Sequence, residues 1–245
     1  MSTAIAVTSG KGGTGKTSLT AGLGECLAAL GHRVLCIDMD IGMRNLDISL
    51  GMTDRSLMDF TDVLSGRCTL ERGAAPHPDI EGLFLLNAPL RLDREISERE
   101  MRAFLAGAKK SFDYILMDAP AGLGTGFRLA VCAADRVIVI STNDASALRD
   151  AQRTVTELSA VCAAVHLVVN RVQPKLLRRL RTTIDDAMDT AGLPLLGVVP
   201  EDPQVILSAN AGIPIVFSGP KGAPLAYLNI ARRLTGDRVP IMTIR

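Results

Sequence analysis

Residues 9–18 read SGKGGTGKTS, four glycines and two lysines in ten residues. Gly10, Gly15, Lys16 and Thr17 stand at the spacing G-x-x-x-x-G-K-[ST], in which a glycine-rich backbone wraps a polyphosphate. The flanks agree with that reading. Thr3 to Thr8 (TAIAVT) is a short apolar run of small and β-branched residues and predicts a buried strand. Leu19, Leu23, Leu27 and Leu30 recur at helical steps and are closed by Gly31, which predicts a helix beginning at the end of the loop. Strand, loop and helix N-terminus together aim backbone N–H groups and the positive end of a helix dipole at one spot. The expected binding residues are therefore Gly10, Lys11, Gly12, Gly13, Thr14, Gly15, Lys16, Thr17 and Ser18. In such a loop Lys16 sits against the β and γ phosphates of a nucleotide and the Thr17 hydroxyl on Mg²⁺. The spacing assigns nothing to the second lysine, Lys11, for which a solvated loop residue is the plain alternative.

The other apolar runs place this motif in a fold. RVLCID (33–38), LFLLNA (83–88), DYILMD (113–118), RVIVIS (136–141), AVHLVVN (164–170) and LPLLGVVP (193–200) show no alternation of polar with apolar residues. Strands of that kind are buried on both faces, which predicts a mostly parallel sheet with helices on either side, a three-layer α/β/α arrangement. Helical segments separate several of the runs. Ser97 and Glu100 form a capping-box pair ahead of Met101, Phe104, Leu105 and Ala108, and Leu148, Ala151, Val155, Leu158 and Cys162 trace another apolar face. The chain has 245 residues, 47% hydrophobic, with a net charge of +1, enough for one substantial core and too balanced for a general attraction to nucleic acid. No repeat or linker interrupts it, so residues 1–245 are read as one domain. Five cysteines without C-x-x-C spacing read as buried free thiols in a reducing cytoplasm. With neither a signal peptide nor an apolar run of spanning length, the expected location is cytoplasmic.

Ligands in such sheets bind beyond the carboxyl ends of the strands. Asp38 ends the second strand, Asp40 follows two residues later, and Asp118 ends DYILMD. Asp118 fits the strand-end carboxylate that reaches Mg²⁺, with Asp38 supporting the metal site or the loop. Asp40 is the candidate for positioning the water that attacks the γ-phosphate. The glycine-rich APAGLGTG (119–126) after Asp118 is able to move with nucleotide state.

KGGTGKT (11–17) resembles the deviant Walker A loop of the MinD/ParA ATPases. The resemblance implies an ATP-dependent homodimer in which Lys11 crosses the interface to the partner's phosphates, acting in catalysis beside Lys16 and Asp40. DMDIGMRNLDISLGM (38–52), continued by LMDFTDVLSGRCTL (57–70), resembles switch I of the MinD branch, and DAPAG (118–122) resembles switch II. VVNRV (168–172) and VPEDPQVILSANAGIPI (199–215) resemble the adenine-side segments, which implies that Asn170, Arg171 and the backbone of Pro200, Glu201 and Asp202 hold the base. The implied function is a Mg-ATP-dependent switch in placement of the division site. Its hydrolysis would be slow alone and accelerated by a protein regulator on the helix around Arg149 to Arg153.

Two features depart from that pattern. MinD proteins continue into a C-terminal amphipathic helix that binds anionic lipid, whereas this sequence ends DRVPIMTIR, too short for such a helix, so direct membrane binding through the C-terminus is not expected. Gly124 stands where the family often carries an acidic residue. The alternatives are a partition ATPase of the ParA type that binds DNA through the basic run KLLRRLRTT (175–183), a flagellar-number regulator, and, lower, an ATP-dependent biosynthetic ligase. An iron–sulfur reductase would need cysteines beside switch II, and DAPAGLGTG has none.

Overall fold

The structure, a computed structural model, describes residues 2–159, 161–162 and 164–244. Its first half runs β1 (Thr3–Thr8), α1 (Lys16–Ala29), β2 (Val34–Asp38), α2 (Leu46–Ser49), α3 (Phe60–Leu64), α4 (Leu70–Gly73), β3 (Ala75–Pro76), β4 (Leu83–Leu86) and α5 (Glu98–Ala108). There follow β5 (Tyr114–Asp118), α6 (Thr125–Val131), β6 (Arg136–Ser141), α7 (Ala145–Leu158), β7 (Val165–Val172), α8 (Pro174–Leu180), α9 (Ile184–Ala191), β8 (Leu195–Pro200), α10 (Pro203–Ala211), a 3-10 turn (Ile215–Ser218) and α11 (Gly222–Leu234). One sheet carries all of these strands in the order β3-β4-β2-β5-β1-β6-β7-β8. Every pairing is parallel except β3 with β4. The order changes direction around β1, which places the loop that follows it in the crevice where α/β sheets bind ligands.

The unbroken apolar strands are covered on both faces, as their composition predicts. Ala4 and Ala6 of β1 point into a core completed by Met101 and Phe104 of α5, Phe127 of α6 and Leu148 of α7. Ile5 and Val7 point the other way, toward Leu19, Leu23 and Leu27 of α1 and Ile230 of α11. Both halves of the Ser97–Glu100 capping box form at the start of α5, and all four apolar residues foreseen on that helix are buried. The apolar face foreseen beyond α7 stops at Leu158, and Cys162 lies outside the helix, half-buried. Cys26, Cys36 and Cys132 are buried, Cys68 and Cys162 are only partly so, and all five are free thiols.

Two elements differ from the sequence reading. The antiparallel β3 is two residues long and offered no apolar run to detect; it sits at the sheet edge, where Pro76 removes a donor that would otherwise invite another strand. Helix α1 is buried almost all round, not along one stripe, and is exposed only at its C-terminal end, at Ala29 and the C-cap Leu30. The reason is close packing on two sides. A Cβ on Gly22 would lie 2.3 Å from the Tyr227 ring of α11, and one on Gly24 would lie 2.5 Å from the Cys36 sulfur of β2. The helix that carries the phosphate loop is thus set by glycine contacts against its neighbours.

Gly22→Ala is expected to destabilise the protein by about 1–3 kcal/mol despite alanine's better helix propensity, because the buried Tyr227 ring has no room to yield. Urea unfolding followed by circular dichroism measures this; unchanged stability would show that α11 moves away at no cost.

Candidate functional site

The loop after β1 is shaped by two glycines that have no alternative. A Cβ on Gly10 would lie 2.3 Å from the Asp150 carbonyl of α7, so glycine lets the loop press against that helix. Gly15 adopts φ 91°, in the left-handed region, and a Cβ there would lie 2.4 Å from the Asn170 amide nitrogen. Gly15 is also the N-cap of α1, with no side-chain cap and no acidic residue in the first turn. The first N–H groups of α1, at Lys16, Thr17 and Ser18, therefore keep their hydrogen-bonding capacity for an anion.

Lys16 is enclosed, its ammonium donating to the Ser9 hydroxyl at 3.0 Å, and Ser9 in turn donates to the Lys11 carbonyl at 2.6 Å. Burial lowers the Lys16 pKa, while the nearby carboxylates of Asp118 and Asp40 oppose that shift. Asp38 and Asp118 are register partners at the ends of β2 and β5. Burial pushes the Asp118 carboxyl up to about 7, with the Thr17 hydroxyl, Lys16 and the Thr20 hydroxyl at 3.3 Å pulling against it and Asp38 adding to it. Burial likewise raises Asp38 to about 6. Two adjacent buried carboxyls beside a single lysine and a threonine hydroxyl form a hard-oxygen site short of positive charge, which fits Mg²⁺ held by Thr17 and Asp118.

Asp38 has a second task. Its two oxygens accept the backbone N–H groups of Asp40 at 2.8 Å and Leu46 at 3.2 Å, tying the base of the switch loop together. The loop is fastened again at its tip, where Arg44 donates to the Ala88 carbonyl at 2.6 Å and lies 3.6 Å from Asp59. Asp40 is thereby held near Lys16.

On the other side of the phosphate loop a cavity of about 340 Å³ is bounded by Gly15, Lys16, Asn170, Pro200, Ile206 and Tyr227, among others. Asn170 is buried and donates to the Thr14 carbonyl at 2.7 Å, so its amide braces the loop as well as facing the cavity. Arg171 donates to the Gly13 carbonyl at 3.2 Å and pairs with Glu201 at 2.8 Å. The Asp202 carboxylate accepts from Gln204 N and Ala223 N, both at 2.9 Å, and so staples the starts of α10 and α11. That carboxylate is thereby engaged within the fold. Tyr227 was missed by sequence reasoning, since nothing in α11 marks a residue that reaches a cavity more than two hundred positions from the loop.

Lys11 stands apart from this enclosed centre. It is about half exposed (47%), donating to Ser146 Oγ at 3.0 Å and lying 3.8 Å from the Asp144 carboxylate at the start of α7. Of the remaining sequence candidates, Gly12 and Gly124 have open space around them. Arg149 and Arg153 lie on the exposed face of α7. Lys175, Arg178, Arg179 and Arg181 are exposed on and just after α8, none in an ion pair among the described residues. No helix among the described residues is long and apolar enough to cross a membrane.

A strand, glycine loop and helix N-terminus delivering a lysine, with a strand-end carboxylate opposite, define an ATPase of the phosphate-loop class with a deviant, two-lysine loop. The chain belongs to the family described as the CobQ/CobB/MinD/ParA nucleotide binding domain, whose profile matches residues 5–215. It is similar to the septum site-determining protein MinD of Synechocystis, 39% identical over 99% of this chain and 92% of that one. Among solved structures it resembles the MinC:MinD cell division protein complex of Aquifex aeolicus, at a TM-score of 0.92 and 36% identity, covering 99% of each chain. It also resembles MinD of Pyrococcus horikoshii complexed with Mg-ADP, at a TM-score of 0.83 and 31% identity, covering 96% of this chain and 97% of that one.

Lys16→Ala is expected to abolish ATP binding, since it removes an enclosed positive charge beside the helix N-terminus. Titration with a fluorescent ATP analogue tests this, and micromolar affinity in the variant would displace the site from this loop.

Proposed function

We propose that this protein is a Mg-ATP-dependent switch ATPase of the MinD type that acts in placing the division septum, residues 1–245 working as one unit from the cytoplasm. The observation that carries this reading is the separation of the two loop lysines. Lys16 is enclosed with the strand-end carboxylates, whereas Lys11 is on the rim, held by one hydroxyl and one long ion pair. An exposed pair of that kind contributes only about 0–1 kcal/mol, so Lys11 is easily exchanged from Asp144 to a more strongly charged partner. In a symmetric dimer that partner is the triphosphate in the other subunit.

Each residue then has a task. The loop backbone and Lys16 hold the β and γ phosphates, Asn170 and Arg171 keep the loop closed, and the cavity under Tyr227 receives the base. Mg²⁺ held at Thr17 and Asp118 would supply charge neutralisation on the phosphates. Asp40, tethered through its backbone to Asp38, accepts a hydrogen bond from the attacking water and orients it toward the γ-phosphorus. The water oxygen bonds to the γ-phosphorus as the bond to the β–γ bridging oxygen breaks, giving ADP and phosphate, and the water's proton leaves on the phosphate. Turnover is slow until a protein regulator of the division-site system docks on the exposed face of α7, where Arg149 and Arg153 lie about one and two turns beyond the helix start that holds Lys11. The Aquifex relative seen as a MinC:MinD complex supports a protein partner of that kind.

For Asp40→Ala the expected outcome is normal ATP binding with accumulated dimers and lost hydrolysis, read by phosphate release; wild-type turnover would remove Asp40 from the mechanism. Lys11→Ala should bind nucleotide through Lys16 yet fail to dimerise. Two charge-assisted contacts per dimer, each about 1.5–3 kcal/mol, amount to roughly a hundredfold or more in dimer affinity. Light scattering with a non-hydrolysable ATP analogue decides it, and equal dimer fractions would make Lys11 an ordinary loop residue.

A further inference from the structure

The switch loop ends in α2, a helix of four residues, far too short to hold itself together. Its start is fixed by the Leu46 N–H on Asp38. Its far end is fixed by a residue from another part of the chain. His77 follows β3 directly and is 93% buried, with Nε2 2.9 Å from the Leu50 carbonyl. Its Nδ1 accepts the backbone N–H groups of Asp79 at 3.0 Å and Ile80 at 3.1 Å. An imidazole nitrogen that accepts two N–H bonds carries no proton, so Nε2 carries it and donates to Leu50. The ring is neutral and fully satisfied, and its loop is rooted in the sheet by the Ala75–Leu85 register and the bond from His77 N to Leu83 O at 2.8 Å.

We propose that His77 is a positioning residue for the switch: it latches the C-terminal end of α2 to the sheet edge and so holds Asp38 to Leu50, with Asp40 inside it, in place against the phosphate loop. The mechanical path is short, running from the His77 ring to the Leu50 carbonyl, through α2 to Leu46 N, to the Asp38 carboxylate and on to Asp40 N. The opposite side is closed as well. Gly51, at φ 65°, backs onto α10 so tightly that a Cβ would lie 2.3 Å from the Gly212 carbonyl, so the end of α2 cannot slide away from His77. Leu46, Leu50 and Met52 are fully buried beneath it. The proposal rests on the reading of Asp40 as the water-positioning group.

Protonation of Nδ1 would set a third hydrogen against two N–H donors and open the latch. Burial lowers the His77 pKa below the usual imidazole range; Asp79, on its own loop, favours the proton, and Arg55, on the segment after α2, opposes it. With the folded value depressed, the latch contributes fully above pH ~6.5 and is lost as pH falls through the folded pKa.

The test compares the full chain with His77→Ala, His77→Asn and His77→Gln. Asn keeps an acceptor for the Asp79 and Ile80 amides but is too short to reach Leu50, whereas Gln can extend a donor toward that carbonyl. Hydrogen exchange of amides 46–52, corrected for the intrinsic rate, and steady-state hydrolysis of Mg-ATP are read together. In the Ala and Asn variants exchange is expected to rise about tenfold and kcat to fall by a similar factor, with KM for ATP within about twofold and substantial rescue by Gln. In the wild type the corrected exchange also rises as pH is lowered from 7 to 5, and more steeply than in His77→Ala, where protonation of Asp38, itself raised to about 6, is left to loosen the start of α2. If His77→Ala fails to fold, the Asn and Gln variants carry the comparison. Unchanged exchange in His77→Asn, or faster exchange with an unaltered kcat, overturns the proposal. Wild-type turnover in Asp40→Ala would overturn the underlying reading instead, and the exchange measurement would still report whether the latch exists.

Discussion

Two carboxyl groups, Asp38 and Asp118, end adjacent parallel strands and are buried there side by side. Neighbouring strands lie only ~4.8 Å apart, so each carboxylate raises the cost of ionising the other, and burial adds to it. Much of the surrounding structure offsets that cost. Lys16, Thr17 and Thr20 come from α1 toward Asp118, and the backbone of the switch loop folds back onto Asp38. Enclosing Lys16 is unfavourable for the lysine alone, but the carboxylates of Asp118 and Asp40 favour its charge. The site thus gathers one lysine and three acids, Asp38, Asp40 and Asp118, in a volume that still favours a further cation and accepts a phosphate chain at the free N–H groups of α1.

This concentration of charge is possible only because the backbone comes unusually close to its neighbours. Gly10 lets the loop touch α7, Gly15 lets it touch Asn170, and Gly22 lets α1 touch Tyr227. Each contact joins the loop or its helix to an element that lies far along the chain. The loop is in consequence braced from β7 by Asn170 and Arg171 and from α7 by the Asp150 backbone, while its rim lysine rests on the start of α7. Helix α7 thus touches the phosphate loop directly.

The switch segment is built differently. Its helix is one turn long, and apart from the burial of Leu46, Leu50 and Met52 its position depends on discrete hydrogen bonds, to Asp38 and from Arg44 and His77. Segments held this way lie at the low-stability end of a protein, where a change of charge at one anchor is enough to alter their geometry. A rigid sheet beside such a segment is what a nucleotide-dependent switch requires.

The sequence by itself determined the features whose signals are local. The phosphate loop, seven of the eight strands, the capping box of α5 and the strand-end placement of Asp38 and Asp118 were all legible, because strand burial, glycine spacing and caps depend on near neighbours in the chain. The likeness of several motifs to the MinD/ParA ATPases extended that reading to the family. Tertiary structure alone decided what lies opposite what. It revealed the edge strand β3, which is too short to carry a pattern, and gave Tyr227 its place at the cavity beside the phosphate loop. It turned the carboxylate of Asp202 to stapling two helices, set Lys11 against α7, and brought His77 to the end of α2 across 27 positions. Such contacts depend on how separate elements are stacked, and no propensity or spacing within one element encodes its neighbour across the sheet.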